Sequence, residues 1–103
     1  MQNLYVYRDV VSGNTGDVFQ CANDAVMRRS CVRALAAAAP EIAHDTVVLH
    51  IGTIEFDCDN TPILRAVDPR IALNGSSPEV AATRADLMRE ASLYGHGGEC
   101  DEE

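Results

Sequence analysis

The chain has 103 residues and a formal net charge of −8, with 16 acidic side chains against eight arginines and no lysine. That length fits one domain rather than two, and 47% apolar residues are enough for one modest core. Non-specific binding to nucleic acid depends on many cationic contacts with phosphate, so the acidic balance excludes a general role of that kind. Any contact with nucleic acid is expected to be local.

The chain shows no targeting, membrane or metal-binding pattern. Its first ten residues, MQNLYVYRDV, lack a basic region followed by an apolar stretch, and no segment approaches the roughly 18 apolar residues that cross a bilayer. The cysteines are too far apart for the paired C-x-x-C spacing of zinc or redox sites: Cys21, Cys31, Cys58 and Cys100. We therefore expect reduced thiols in a cytoplasmic protein.

The first two predicted elements form an antiparallel hairpin. Leu4 to Val11 alternates in the manner of a strand, with Leu4 and Val6 on one face and Tyr5 and Tyr7 on the other. The segment SGNTG holds residues that accept a positive φ, which favours a tight loop into a second strand at residues 17–21.

A helix follows the hairpin. Asn23 or Asp24 is a suitable N-cap for AVMRRSCVRALAAAA, a segment of strong helix formers that stops at Pro40. The spacing predicts one buried stripe, formed by Met27, Cys31, Leu35 and Ala38.

The third strand, Thr46 to Asp57, changes its apolar phase part-way along. Leu49 and Ile54 have opposite parity, so a regular strand would place them on different faces. A bulge at Gly52 and Thr53 would restore the register, because glycine permits the bend at least cost. A short fourth strand is predicted at residues 63–67, and the segment DPRIALNGSSP is predicted to be a loop.

The last part of the chain predicts a second helix that starts at Pro78, is capped by Ser77 and stops before Gly95. Its apolar face would hold Val80, Leu87, Ala91 and Tyr94. The Gly-rich and acidic residues 96–103 are expected to be disordered. The chain is thus predicted as an α+β core over residues 1–76, with a small antiparallel sheet in β-β-α-β-β order packed against one main helix, followed by a helix over 77–95 and a tail.

No catalytic group is expected. Cys31 lies on the predicted buried stripe, and nothing places a histidine beside it, so it fits a core thiol better than a nucleophile. His96 and Cys100 lack a second ligand pair, so no metal is expected. The acids near the end of the third strand, Glu55, Asp57 and Asp59, fit a solvated turn better than a cation site. No cofactor is expected either.

Six residues are candidates for binding nucleic acid or a partner protein. Tyr5 and Tyr7 would form a stacking platform for single-stranded bases if the helix covers the other side of the sheet, and otherwise they belong to the core. The remaining four are cations that can contact phosphate or an acidic partner: Arg8, Arg28, Arg29 and Arg33. The alternative for the helical arginines is a solvated face paired with nearby acids.

The segments LYVYRDVVSGNTGDVF, CANDAVMRRSC and LHIGTIEFDCDNTPI, with a later Pro-Arg-Ile and Asn-Gly, resemble the small non-structural protein of gokushoviruses and Chlamydia phages, within the Microviridae. The resemblance covers roughly residues 3–76. It implies a non-virion protein of the infected bacterium that helps replication pass from double-stranded intermediates to single-stranded genomes, and it carries over no catalytic residue. The chain departs from that pattern in its Ala-rich helix end and from Ser77 onward.

Two classes of function follow. The first is an accessory protein of single-stranded DNA replication that contacts DNA or a replication protein through the six candidates. The second is an acidic protein-interaction module, a homo-oligomer, that binds a host or phage DNA-handling protein without touching DNA. Neither class involves a membrane, and both place the protein in the host cytoplasm.

Overall fold

The computed structural model describes the backbone of residues 1–101 and the side chains of residues 1–92. Four strands and three helices follow one another along the chain: β1 (Gln2–Asp9), β2 (Thr15–Cys21), α1 (Asp24–Ala37), α2 (Pro40–His44), β3 (Thr46–Phe56), β4 (Pro62–Asn74) and α3 (Pro78–Asp101). The strands form one antiparallel sheet in the order β2-β1-β3-β4. The predicted α+β class is confirmed.

The hairpin between β1 and β2 forms where the sequence predicts it. Gly13 has a φ of 80°, in the left-handed region that glycine adopts without a steric penalty. The Asp9 carboxylate accepts hydrogen bonds from the backbone N–H groups of Val11, at 2.9 Å, and Ser12, at 3.4 Å. These bonds hold the turn, and they lower the pKa of Asp9.

The predicted irregularity of β3 is present, one residue earlier than expected. Leu4 pairs with Gly52 and Tyr5 with His50, which leaves Ile51 as the extra residue of a bulge. Gly52 itself lies against β4, and a Cβ added there would be 2.5 Å from the carbonyl oxygen of Arg65. The glycine is therefore required by the close approach of a backbone as well as by the bend.

Strand β4 is much longer than predicted, and the assignment of DPRIALN to a loop is wrong. The strand runs over Pro62–Asn74, and residues 67–69 lie opposite the single residue Ile51. Proline cannot donate to a sheet ladder, so Pro69 is unfavourable within a regular strand. A sheet tolerates it at an irregularity of an edge strand, which is where it lies.

Helix α1 begins and ends close to the predicted points. The Asn23 side chain accepts a hydrogen bond from the Val26 N–H at 2.9 Å, as an N-cap does. Met27, Cys31 and Leu35 are buried as predicted, with Val32 and Ala36 beside them, whereas Ala38 follows the helix end and is half-buried. The unpredicted helix α2 starts at Pro40, because proline suits the first position of a helix as well as stopping the one before.

Helix α3 starts at the predicted Pro78, but its backbone continues beyond Gly95 to Asp101. Val80 is fully buried and Leu87 packs against the core, whereas Ala91 is exposed. Tyr94 and the other side chains from residue 93 onward lie outside the described part, as do residues 102 and 103. The disorder predicted for residues 96–103 stays a prediction.

The core lies on one side of the sheet. It joins residues of three strands, all three helices and no ionised group, at positions Tyr5, Met27, Cys31, Val32, Leu35, Ala36, Ala43, Val48, Leu73 and Val80. Helices α1 and α3 pack against each other over this face. The other face of the sheet is covered by no element of the described chain.

Candidate functional site

The structure separates the six predicted binding residues into three places. Tyr5 and Tyr7 lie on the helix-covered face of the sheet. Arg8 is next in β1, so it lies on the opposite face, where it is exposed. The three arginines of α1 lie together beside α3. No single surface collects all six.

Tyr5 is a core residue, with 0% of its surface exposed. Its hydroxyl donates to the Asp24 carboxylate at 2.5 Å and accepts from the Asn3 side-chain amide at 3.0 Å. Burial, followed by the bond to Asp24, raises the pKa of Tyr5 to about 12. Of the two alternatives for Tyr5, platform or core, the geometry is that of core, and the ring is closed to a nucleic-acid base.

Asp24 joins the sheet to the start of α1. Besides the Tyr5 hydroxyl, it accepts a hydrogen bond from the Arg70 guanidinium of β4 at 2.8 Å. These two partners, Tyr5 first, hold the pKa of Asp24 below its ordinary value. As an acid in the first turn of a helix, Asp24 also lies where negative charge is favourable.

Tyr7 lines an apolar cleft of about 600 Å³ between β2 and α1. Its ring lies 5.3 Å from that of Phe19, between centroids, and the two free thiols Cys21 and Cys31 line the same cleft. Burial raises the pKa of Cys31, and it also raises the pKa of Tyr7. Cys31 is therefore a protonated thiol at neutral pH, a form that is a poor nucleophile.

The arginines of α1 form one side of a groove of about 510 Å³ between α1 and α3, which we call the arginine groove. It is lined by Ala25, Arg28, Arg29, Val32, Arg33, Glu79 and Thr83. The structure thus brings together the cations that the sequence placed on one helix face. It adds a second wall from α3, which the sequence did not assign to the site.

The three arginines of the groove are not equivalent. Arg28 donates to the Ala72 carbonyl at 3.0 Å and forms an ion pair with Glu79. Arg29 and Arg33 are exposed, and neither forms an ion pair within the described residues. Arg28 is therefore occupied in joining α1 to β4 and α3, whereas Arg29 and Arg33 are available to an external anion.

The acidic turn after β3 is held by its own hydrogen bonds. Asp57 accepts from the backbone N–H groups of Asp59 and Thr61, each at 2.9 Å, and Glu55 forms an ion pair with Arg65. Among the described residues, no three His, Cys, Asp or Glu side chains are grouped as metal ligands are. His96 and Cys100 lie outside the described side chains.

Sequence reasoning missed an apolar surface on the uncovered side of the sheet. Directly opposed residues of antiparallel strands share a face, so the ladder pairs assign this side without ambiguity. We call it the open face; its larger apolar side chains are Leu4, Val6, Val18, Val47, Leu49, Ile54, Phe56, Leu64 and Ile71. The alternation of Leu4 with Val6 was the available signal, but it did not tell which face the helix covers.

Comparison with known proteins identifies no relative: no family model, no curated protein and no solved structure matches the chain. Within the described residues, no helix combines the length and the apolar character needed to cross a membrane.

Proposed function

We propose that this chain is a non-catalytic accessory protein of single-stranded DNA phage replication that contacts the DNA backbone through the arginine groove. The observation that carries the proposal is the juxtaposition of Arg29 and Arg33, exposed and without an acidic partner in the described chain, in one concave groove beside Arg28. The resemblance of residues 3–76 to a non-structural phage protein supports the biological setting.

The chemistry of the groove favours phosphate over bases. A guanidinium group can donate two parallel hydrogen bonds to one phosphate, whereas base recognition on single strands depends largely on aromatic stacking. Among the described side chains no aromatic ring lines the groove, and Tyr5 is buried. We therefore expect weak, sequence-independent binding that depends strongly on salt, and the net charge of −8 weakens it further.

Fluorescence anisotropy with a labelled single-stranded oligonucleotide tests the proposal. With two or three phosphates engaged, log K should fall with log salt concentration at a slope of about −1.4 to −2. The double variant Arg29→Gln/Arg33→Gln should bind several-fold more weakly and with a shallower slope. The matched control is Arg65→Gln/Arg89→Gln, which removes the same charge outside the groove and should bind nearly as well as the wild type.

Two results would contradict direct DNA contact. One is no measurable binding at low salt. The other is an equal loss of affinity in both double variants, which would show that net charge and not the groove sets the interaction.

The second candidate function is the acidic protein-interaction module, which occupies a basic site on a DNA-handling protein. The observation that favours it is the excess of acids over arginines, with Asp17, Asp59 and Asp68 exposed and outside every ion pair of the described chain. Affinity capture from infected cells should then recover one basic protein at low salt and release it at high salt, while the oligonucleotide stays unbound.

A further inference from the structure

The open face differs from an ordinary solvent-facing sheet surface. On an antiparallel sheet with one covered face, the other face is normally polar. Here Val18, Leu64 and Ile71 are 57%, 63% and 57% exposed, and Phe56 is 56% exposed at the end of β3. Together with Leu4 and Val6 of β1, these side chains extend the apolar surface across all four strands, and large surfaces of this kind mark interaction sites.

The open face carries almost no charge. All but one of the charged residues paired in the sheet lie on the helix-covered side, as Arg70 shows by its bond to Asp24 of α1. Arg65 and Glu55, which form an ion pair with each other, share that side. Arg8 is the one charged residue that the ladder pairs place on the open face, and it lies at the margin, opposite Thr15 and Val47.

Two buried valines show that this surface is already packed among its own side chains. Val6 and Val47 are each 4% exposed, yet neither belongs to the core cluster formed with the helices. Val6 pairs with Val18 on one side and with Leu49 on the other. The centre of the open face is therefore a dense aliphatic layer that lacks only a second layer above it.

We propose that the open face binds the open face of a second copy of this chain, so that two sheets pack as a sandwich with the helices outside. A sheet buries an apolar face by packing on another layer, and sheets pack face to face about 10 Å apart. A surface nearly without charge offers nothing for a partner of opposite charge to recognise. It does allow two copies of an acidic chain to meet without placing like charges in the contact.

The dimensions of the face match a dimer of modest affinity. Four strands spaced about 4.8 Å apart, over roughly eight residues of 3.4 Å, give about 500 Å² from each copy and about 1,000 Å² in total. That total is near the lower limit for specific interfaces, and a twofold axis would make the contact self-complementary. We expect a dissociation constant in the micromolar range.

Edge pairing is a less suitable route to the same dimer. Strand β4 is one edge of the sheet, and its hydrogen-bonding row is interrupted by residues 67–69, which include Asp68 and Pro69. Such interruptions and charges block the addition of a further strand. The face therefore offers a larger continuous contact than this edge does.

Sedimentation equilibrium from about 1 to 200 µM tests the proposal in the range where a micromolar dimer dissociates. The wild type should approach twice its mass of 11.1 kDa as concentration rises. Leu64→Glu should raise the dissociation constant at least about 100-fold, because it buries an unpaired charge in the dimer. The matched control is Met88→Glu, 66% exposed on α3 and away from the face, which should dimerise as the wild type does.

Circular dichroism checks that both variants keep the fold, which is expected because both side chains are exposed. A wild type that stays monomeric at every concentration would overturn the proposal, as would a dimer that Leu64→Glu leaves intact. The arginine groove lies on the other side of the sheet. A chain that binds DNA but does not dimerise therefore contradicts only the dimer, and a chain that dimerises but does not bind DNA contradicts only the proposed function.

Discussion

The two faces of the sheet hold apolar residues of the same kinds, yet the solvent exposure of these residues differs. On the helix-covered face, Tyr5, Val48 and Leu73 are at most 2% exposed, whereas on the open face Leu64 and Ile71 are more than half exposed. The covered face also contains the polar network of Tyr5, which fixes α1 on the sheet. Apolar content alone therefore does not decide burial: the helices close the covered face, whereas on the open face the central Val6 and Val47 are buried by neighbouring side chains and the outer residues stay exposed.

The largest expected effect comes from truncating a side chain in the closed core, compared with the same change on the open face. Met27→Ala, in α1 over the covered face, should lower the free energy of unfolding by about 2–5 kcal/mol, because it leaves a cavity in a closed core. Leu64→Ala on the open face should change it by about 0.5 kcal/mol or less at high dilution, where no dimer contributes. Urea unfolding measures both losses, and equal values would contradict the difference between the two faces.

A substitution at Gly52 tests the bulge at Ile51, which restores the register of β3 and so decides which of its side chains lie on each face. Gly52→Ala should lower the free energy of unfolding by more than about 1 kcal/mol, because the new Cβ would meet the Arg65 carbonyl at 2.5 Å and a backbone must shift. The control is Gly16→Ala in β2, where the nearest atom lies at 3.8 Å and the effect should stay near zero. Thermal unfolding monitored by circular dichroism compares the two.

The hydrogen bonds of the Tyr5 hydroxyl are expected to hold α1 on the covered face. Tyr5→Phe keeps the ring and removes the hydroxyl that joins Asp24 to Asn3, so we expect a loss of about 1.5 kcal/mol. Tyr7→Phe, whose hydroxyl lies outside that network, should have a smaller effect. If the two variants are equally stable in urea, the network contributes nothing specific.

The smallest expected effect is on the pH dependence of stability. The pKa of Asp24 is lowered in the folded state, so its contribution is present above the ordinary aspartate pKa and is lost as pH falls towards the lower folded value. Asp24 is partly exposed, and solvent screening reduces that contribution. In Asp24→Asn the free energy of unfolding, measured in urea at several pH values, should fall less steeply as the pH is lowered. Asp59→Asn, whose side chain makes no bond in the described chain, should show the same acid dependence as the wild type.

The hairpin, the cap of α1 and the bulge near Gly52 were predictable because each depends on neighbours in the sequence. Turn residues, a capping side chain and a phase change are local signals. The loop predicted at DPRIALN failed because Pro69 is tolerated only through its place on an edge strand, and strand order is not a local property. Helix α2 was missed because proline was interpreted only as the end of α1.

For the candidate site, the grouping of the arginines on one face of α1 was predictable, because helical spacing fixes which side chains are neighbours. The packing of α3 beside α1 was not predictable. It closes the groove and binds Arg28 to Glu79, while Arg29 and Arg33 stay free of ion pairs among the described residues. The alternation in β1 determined that Tyr5 and Leu4 lie on opposite faces. Which of the two was covered depended on where α1 packs, and that depends on contacts between residues far apart in the chain.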